Sequence, residues 1–281
     1  MTRGRVRRML SAAALATSVA SRAVAQDAPT ASSNVVITGR DMALVGAATV
    51  GDAILMRADV RIARLFTDSA FHARHPGFTV AAKRASLATE TVLMITGGAV
   101  YGIARLRRDD VTADVALHAT EAVASTAMFI QVVRGALGRA RPYVKDSAGV
   151  RDADPYRFDL LHGFTSYDYR SFPSMHAMAS IAVASALSQE MRERRTPDRA
   201  LISPLLYVAA AMPGLARMYL DEHWASDVAL GAFLGAFAGQ KVVSYSHTHR
   251  DNRVDHFFLR PRMSAGFTSS AHGLSFFVLP D

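Results

Sequence analysis

The chain has 281 residues, of which 50% are hydrophobic and 20% charged, and it contains no cysteine. This length allows one large domain or two small ones, and the apolar fraction suffices for a buried core, which excludes wholesale disorder. Without cysteine, the chain has no disulfide framework, thiolate metal site, iron–sulfur cluster or cysteine nucleophile. The formal net charge of +8 suggests an anionic partner, so the distribution of this charge has to be considered.

The first 25 residues are typical of a secretory signal peptide. A basic start is followed by an apolar stretch from Met9 to about Ala20, and Ala23-Val24-Ala25 is the small-x-small pattern of a cleavage site. A membrane anchor that is never cleaved is the alternative. The segment contains five arginines and no acidic residue, so its removal lowers the net charge from +8 to +3. Bulk charge therefore does not support nucleic-acid binding, and we expect no nucleic acid among the partners.

The mature chain is predicted to be mostly helical. We expect a linker at 26–40, one helical domain at 41–250 and a tail at 251–281. Apolar residues at helical spacing predict helices at about 41–66, 82–105, 111–138, 175–193, 201–219 and 225–246. Proline, glycine and polar residues predict loops at 75–77, 143–171 and 194–197. The tail is predicted to hold two short strands, 262–268 and 274–279, as a hairpin.

The apolar runs decide whether these helices are expected to cross a membrane. The charge-free apolar runs have 14 residues (91–104), 17 residues (200–216) and 13 residues (228–240), whereas a lipid-spanning helix needs about 20 predominantly apolar residues. We therefore expect an exported globular domain at the periplasmic or extracellular face of a membrane. An integral membrane protein is the alternative.

Three short motifs carry the chemistry, and the first is formed by Arg134 and Arg141. The two lie seven residues apart, near the same side of a predicted helix end, and Pro142 is expected to stop the helix just beyond them. A guanidinium group suits phosphate because its planar fork offers paired donors and keeps its charge. Arg139, between the two, is interpreted as a solvated neighbour.

The second motif is Pro173-Ser174-Met175-His176, at the start of a predicted helix. Ser174 can cap this helix or donate a hydroxyl hydrogen bond. The free N–H groups of a helix start bind anions, and His176 in the first turn could deliver a proton there. Taken alone, the motif also fits an ordinary helix start followed by a partly exposed histidine.

The third motif consists of Arg217, His223 and Asp227. His223 and Asp227 are four residues apart and are expected on one helix face. There the carboxylate can fix the tautomer of the imidazole and leave its other nitrogen free to attack. Arg217 would supply positive charge to the same anion.

In this order, the three motifs resemble the signature of the type-2 phosphatidic acid phosphatase superfamily, which also includes bacterial non-specific acid phosphatases and vanadium haloperoxidases. The family pattern is Lys-x6-Arg-Pro, then Pro-Ser-Gly-His, then Ser-Arg-x5-His-x3-Asp, and the resemblance covers about residues 85–246. It implies an all-α helical bundle and a phosphatase that needs no metal or other cofactor. The substrate would be a phosphorylated small molecule or a lipid phosphate, such as phosphatidic acid or an isoprenoid phosphate.

The resemblance also implies a role for each site residue. His223 would be the nucleophile that forms a phosphohistidine, Asp227 would orient its imidazole, and His176 would protonate the leaving oxygen. The phosphate oxygens would be bound by Arg134, Arg141, Ser174, Arg217 and the backbone N–H of Met175.

Three residues depart from the family pattern. Arg134 replaces lysine, Ala216 replaces serine, and Met175 replaces glycine where the backbone approaches phosphate closely. If this position needs a backbone conformation that only glycine adopts readily, Met175 would be strained there. These departures leave a non-catalytic phosphate- or lipid-binding relative as one alternative. A haloperoxidase, with vanadate as its only cofactor, is another.

Two further groups of histidines are given structural interpretations. His118, on a predicted helix, is interpreted as a satisfied interior histidine. The segment with His247, His249 and Asp255 matches no established metal-ligand spacing, and we interpret it as a solvated stretch after the last helix.

Overall fold

The computed structural model describes residues 37–145, 149, 154–259, 263–270 and 273–280, and of the last two segments the backbone only. The predicted signal peptide and residues 26–36 of the predicted linker lie outside the described residues. Within the described part, the chain forms ten α-helices, followed by two strands.

The helices are α1 (Gly39–Leu55), α2 (Asp59–Phe66), α3 (Ser69–Arg74), α4 (Pro76–Ala85), α5 (Glu90–Leu106), α6 (Asp110–Leu137), α7 (Met175–Glu193), α8 (Arg199–Tyr219), α9 (Ala225–Thr248) and α10 (Arg253–Leu259). Short 3₁₀ turns lie at Met56–Ala58, His162–Phe164 and Tyr167–Tyr169. The strands β1 (Met263–Ser270) and β2 (Gly273–Pro280) pair antiparallel, with Met263 opposite Pro280, and β1 lies against α5.

Helix α7 is the centre of the bundle and packs against α6, α8 and α9. The core between them contains Val123 and Ile130 of α6, Met178 of α7 and Val243 of α9, all completely buried. Burial of this apolar surface is the main favourable contribution to folding. The expected all-α helical bundle is confirmed.

Two of the predicted helices are interrupted. The helix expected at 82–105 is two helices, α4 and α5, because Thr89 accepts a hydrogen bond from the N–H of Val92 (3.2 Å) and starts a new helix there. The helix expected at 41–66 is divided by the turn Met56–Ala58. Pro76, for which the sequence predicts a loop, occupies the first position of α4, where its missing N–H costs no hydrogen bond.

Three helices of the described part, α6, α8 and α9, are long and apolar enough to cross a membrane, and α4 and α5 together qualify as a span that bends by 56°. Helix α8 also presents an apolar stripe on its outer face, with Leu201, Leu205, Val208 and Met212 all at least 50% exposed. Contiguous exposed apolar surface of this kind is typical of a membrane or partner contact. The helices therefore favour the integral membrane protein over the expected globular domain. The charge-free runs underestimated these helices as membrane spans because charged residues such as Glu121 in α6 and Lys241 in α9 interrupt the runs.

Candidate active site

The first motif lies around the end of α6. The helix ends where Gly138 adopts a left-handed backbone conformation (φ 58°), and a Cβ at this position would lie 1.7 Å from the carbonyl oxygen of Asp159. Arg141 therefore lies beyond the helix, and the prediction that Pro142 ends it is wrong. Arg134 and Arg141 nevertheless approach each other, because both donate to the carbonyl oxygen of Arg170, at 2.6 and 3.5 Å.

One carboxylate joins Arg141 to Arg217 of the third motif. Oε2 of Glu222 accepts a hydrogen bond from Nη1 of Arg141 (2.6 Å) and one from Nη2 of Arg217 (2.8 Å). The ring centroid of Tyr167 lies 4.0 Å from the guanidinium carbon of Arg141, and its hydroxyl accepts from Arg217 (2.9 Å). The three arginines predicted to bind one anion are thus neighbours, and two of them hold a carboxylate.

The second motif starts α7 beside the third one. The N–H of Ser174 donates to the carbonyl oxygen of Asp227 (2.9 Å), and the Ser174 hydroxyl is buried without a hydrogen-bond partner among the described residues. Met175 is the first residue of α7 and packs its side chain into the hydrophobic core. The strain expected at this glycine position is therefore absent, because a helical backbone accommodates any side chain with negative φ.

His176 lies in the first turn of α7 and is partly buried. Its Nε2 lies 3.2 Å from the carbonyl oxygen of Ser86, in the turn between α4 and α5. Because a carbonyl oxygen can only accept, Nε2 carries a proton in this arrangement. Nδ1 is then the nitrogen that gains or loses a proton when the imidazole titrates.

His223 lies just before α9, two residues ahead of its first residue, and not on the helix face where the spacing placed it. The two side chains still meet, because Asp227 is in the first turn and its Oδ2 lies 3.4 Å from Nδ1 of His223. The same oxygen accepts from the N–H of Trp224 (2.8 Å). Nε2 of His223 is buried and has no hydrogen-bond partner among the described residues, which leaves it as the free nitrogen of the ring.

A buried ion-pair network holds Oδ1 of Asp227, the carboxylate oxygen that does not face His223. Arg139 is completely buried, so its interpretation as a solvated neighbour is wrong. It donates to Oδ1 of Asp227 (2.6 Å) and to Oδ2 of Asp59 in α2 (2.8 Å), and Asp59 also accepts from the N–H of Ser226 (2.9 Å). Removing one partner of such a buried network typically costs about 3–5 kcal/mol. The network therefore fixes the carboxylate that faces His223.

Sequence reasoning missed four residues of this site: Asp59, Arg139, Tyr167 and Glu222. Arg139 lies between the two arginines of the first motif and Glu222 directly precedes His223, and these positions were the only signal available for them. Asp59 and Tyr167 lie far along the chain from the residues that they contact.

Both site histidines are held neutral. Burial lowers the pKa of His223 well below its ordinary value, and the charges of Arg141 and Arg134 act in the same direction against Asp227. Burial and the charge of Arg217 lower the pKa of His176 to about 4. At neutral pH, His223 therefore keeps a free lone pair, which a nucleophile needs.

Comparisons with known proteins agree with the family resemblance. The sequence model of the PAP2 superfamily matches residues 115–251, and this segment, which contains all three motifs, is similar to that superfamily. Among solved structures, this chain is similar to a transmembrane PAP2 type phosphatidylglycerolphosphate phosphatase from Bacillus subtilis. It is 19% identical, with 73% of this chain and 96% of that chain covered and a TM-score of 0.44. No protein of curated function matches the chain. The family supports a phosphatase of the PAP2 type.

Proposed function

We propose that this protein is a phosphatase that hydrolyses phosphate monoesters through a phosphohistidine and without a catalytic metal. Three buried polar atoms carry the proposal: Oγ of Ser174, Nε of Arg217 and Nε2 of His223 have no hydrogen-bond partner among the described residues. A buried polar atom without a partner costs about 1–3 kcal/mol. Three such atoms around Asp227 and Glu222 indicate a site built for a polar ligand. A phosphoryl group offers acceptor oxygens to the first two atoms and an electrophilic phosphorus to the third.

The geometry supports a two-step transfer. Nε2 of His223 attacks phosphorus, the new P–N bond forms as the bond to the leaving oxygen breaks, and protonated His176 gives that oxygen its proton. Water then attacks the phosphohistidine while His176 accepts a proton, which releases phosphate and restores His223. The same residue thus acts as acid in the first step and as base in the second.

Charge stabilisation is assigned to the arginines and to the start of α7. Arg134, Arg141 and Arg217 would neutralise the charge that phosphoryl transfer spreads over the equatorial oxygens. Ser174 and the backbone N–H of Met175 would add neutral donors at a helix start, where anions are favoured. Asp227 keeps its hydrogen-bonding oxygen toward Nδ1 of His223, so the reactive nitrogen stays Nε2.

The proposed substrate is a lipid phosphate, such as phosphatidic acid or an isoprenoid phosphate. The candidate spans α6, α8 and α9 and the exposed apolar stripe of α8 support a protein embedded in a membrane, where such a substrate resides. The predicted signal peptide supports an active site on the exported side of that membrane.

A phosphate-release panel tests this proposal. Phosphatidic acid and an isoprenyl phosphate in mixed micelles are compared with a soluble sugar phosphate and a nucleotide, for wild type, His223→Ala and the control His256→Ala, an exposed histidine. We expect faster release from the lipids, no change in the control, and a loss of roughly 10⁴-fold or more in His223→Ala.

Other results of the panel would overturn parts of the proposal. Retained turnover in His223→Ala would exclude the phosphohistidine mechanism. Bromide oxidation by peroxide after vanadate loading, with no phosphate release, would establish the haloperoxidase. Binding of esters without turnover would establish a non-catalytic relative.

A further inference from the structure

A second cluster of ionisable side chains lies at the other end of the helices. Glu190 is near the end of α7 and His247 near the end of α9, whereas the candidate active site lies at the start of both helices. The 15 residues from Met175 to Glu190 correspond to about 22 Å along α7, at 1.5 Å per residue. This cluster is therefore separate from the candidate active site.

Glu190 lies between two histidines from neighbouring helices. Its Oε1 lies 2.5 Å from Nδ1 of His118 in α6, and its Oε2 lies 3.0 Å from Nε2 of His247. The two ring nitrogens and the carboxylate oxygen all lie within 4.8 Å of one another. His118 and Glu190 are buried, and the side chain of His247 is only partly exposed. The interpretation of the His247 segment as a solvated stretch is therefore wrong for this residue.

The far side of the His118 ring also faces a carboxylate. Its Nε2 lies 3.3 Å from Oδ1 of Asp255 in α10, and Oδ2 of Asp255 is held by the amide of Asn252 (2.7 Å). A histidine that binds a metal almost always gives its other ring N–H to a carboxylate, carbonyl or water, which orients the ring. Nε2 of His118 and Oδ1 of Asp255 lie at ion-pair distance without a hydrogen bond between them, so a small rotation of the ring would give this arrangement.

A cavity gives a cation access to the cluster. Its lining includes His118, His247 and Asp255, together with Asp114 and Arg194. Arg194 donates to Oε2 of Glu190 (2.9 Å) and to Asp114 (3.0 Å). It can keep both contacts while Oε1 of Glu190 faces a metal ion.

We propose that His118, Glu190 and His247 bind a divalent transition-metal ion of the Zn²⁺ type, with Asp255 as the outer partner of His118. Two imidazoles and a carboxylate, with water from the cavity as a fourth ligand, form a donor set that suits Zn²⁺. The bound ion ties α6, α7 and α9 together at the end away from the candidate active site. It takes no part in the phosphoryl transfer proposed above, and the two proposals stand or fall separately.

Metal content and affinity test this proposal on the full chain, purified in detergent without a polyhistidine tag. We expect one Zn²⁺ per chain by elemental analysis, and a melting temperature that rises with Zn²⁺ and falls again with a chelator. His247→Gln keeps an amide donor for Glu190 but lacks the imidazole, and we expect about 100-fold weaker Zn²⁺ binding in chelator competition. Asp255→Asn should weaken binding by about 10–100-fold.

The control is His256→Ala, which removes an exposed histidine next to Asp255 and should leave Zn²⁺ affinity unchanged. A wild-type stoichiometry well below one, or equal affinity in wild type and both ligand-shell variants, would overturn the proposal. Equal weakening by His256→Ala would instead place the ion on the surface and also overturn it. If His247→Gln fails to fold, the wild-type stoichiometry and Asp255→Asn decide the outcome.

Discussion

The carboxylate of Glu222 lies where a phosphate oxygen would be expected to bind. It accepts hydrogen bonds from Arg141 and Arg217, at 2.6 and 2.8 Å, and its side chain is 24% exposed. An incoming phosphate has to displace this carboxylate or share the arginines with it. Glu222 therefore competes with anions for the site, while it holds two flexible guanidinium groups in position before the substrate arrives.

Replacement of Glu222 by glutamine should reveal this competition. The amide keeps the size of the side chain but removes the charge, so we expect inorganic phosphate to inhibit Glu222→Gln at a concentration lower by about five- to tenfold, which corresponds to roughly 1–1.4 kcal/mol. Asp221→Asn is the matched control, because it removes the same charge one residue earlier and asparagine tolerates the left-handed backbone (φ 62°) of this position. An inhibition constant equal to that of wild type would contradict the competition.

The depressed pKa of His176 predicts the pH dependence of catalysis. With a pKa of about 4, the free protein loses the proton of this acid as the pH rises, so kcat/KM should fall above about pH 4. Bound phosphate offsets the charges of the arginines and raises this pKa, so kcat should persist to higher pH. Ionisation of the substrate also contributes, but it is the same for any variant.

His176→Ala isolates the contribution of the histidine. We expect kcat to fall by about 10²–10⁴-fold for alkyl phosphates and much less for p-nitrophenyl phosphate, whose leaving group needs no proton. The fall of kcat/KM at rising pH should become shallower than in wild type. Identical pH profiles for the two proteins would contradict the role of His176 as the acid.

Among the helices, the contact between α7 and α9 positions the site. Gly231, Gly235 and Gly239 lie one turn apart on α9, and a Cβ at each would lie 2.2–2.6 Å from a backbone oxygen of Ser174 or α7. The absence of side chains at these positions lets α9 lie directly against α7. Asp227 at the start of α9 can therefore reach the N-terminus of α7 through its carbonyl oxygen.

A methyl group at Gly231 should move the second motif, at Ser174, away from the third motif, at Asp227. The new Cβ would lie 2.4 Å from the carbonyl oxygen of Ser174, so we expect Gly231→Ala to lower kcat/KM by about 10–100-fold and stability by about 1–3 kcal/mol. Phosphate release and thermal unfolding measure the two effects. Gly98→Ala on α5 is the control, because no atom of the described residues would lie within 4 Å of its Cβ. Equal effects of the two substitutions would show that the close approach does not matter.

For the molecule as a whole, the sequence was most informative where chemistry is local. Arg134, Arg141, Ser174, Arg217, His223 and Asp227 could be predicted because their motifs are short and ordered along the chain. The buried ion-pair network that holds Asp227 could not be predicted, because Arg139 brings Asp59 and Asp227 together only after the chain has folded. The break between α4 and α5 was also missed, because a single residue, Thr89, starts the second helix.

Whether the chain spans a membrane also depends on features that are not local in the sequence. Charge-free runs underestimated α6, α8 and α9, because a helix that includes a charged residue can still span a membrane. The exposed stripe of Leu201, Leu205 and Val208 on α8 depends on which face packs inward, and a single sequence does not determine this.

Trapping of the covalent intermediate tests the central claim most directly. Wild type and His223→Ala are mixed with a radiolabelled phosphate ester that the wild type hydrolyses, quenched within the first turnover, and digested for peptide mapping. We predict an acid-labile, base-stable label on His223 in the wild type and no label in the variant, because a phosphohistidine on Nε2 is the proposed intermediate. A label on another residue, or turnover in His223→Ala at the wild-type rate, would contradict the account.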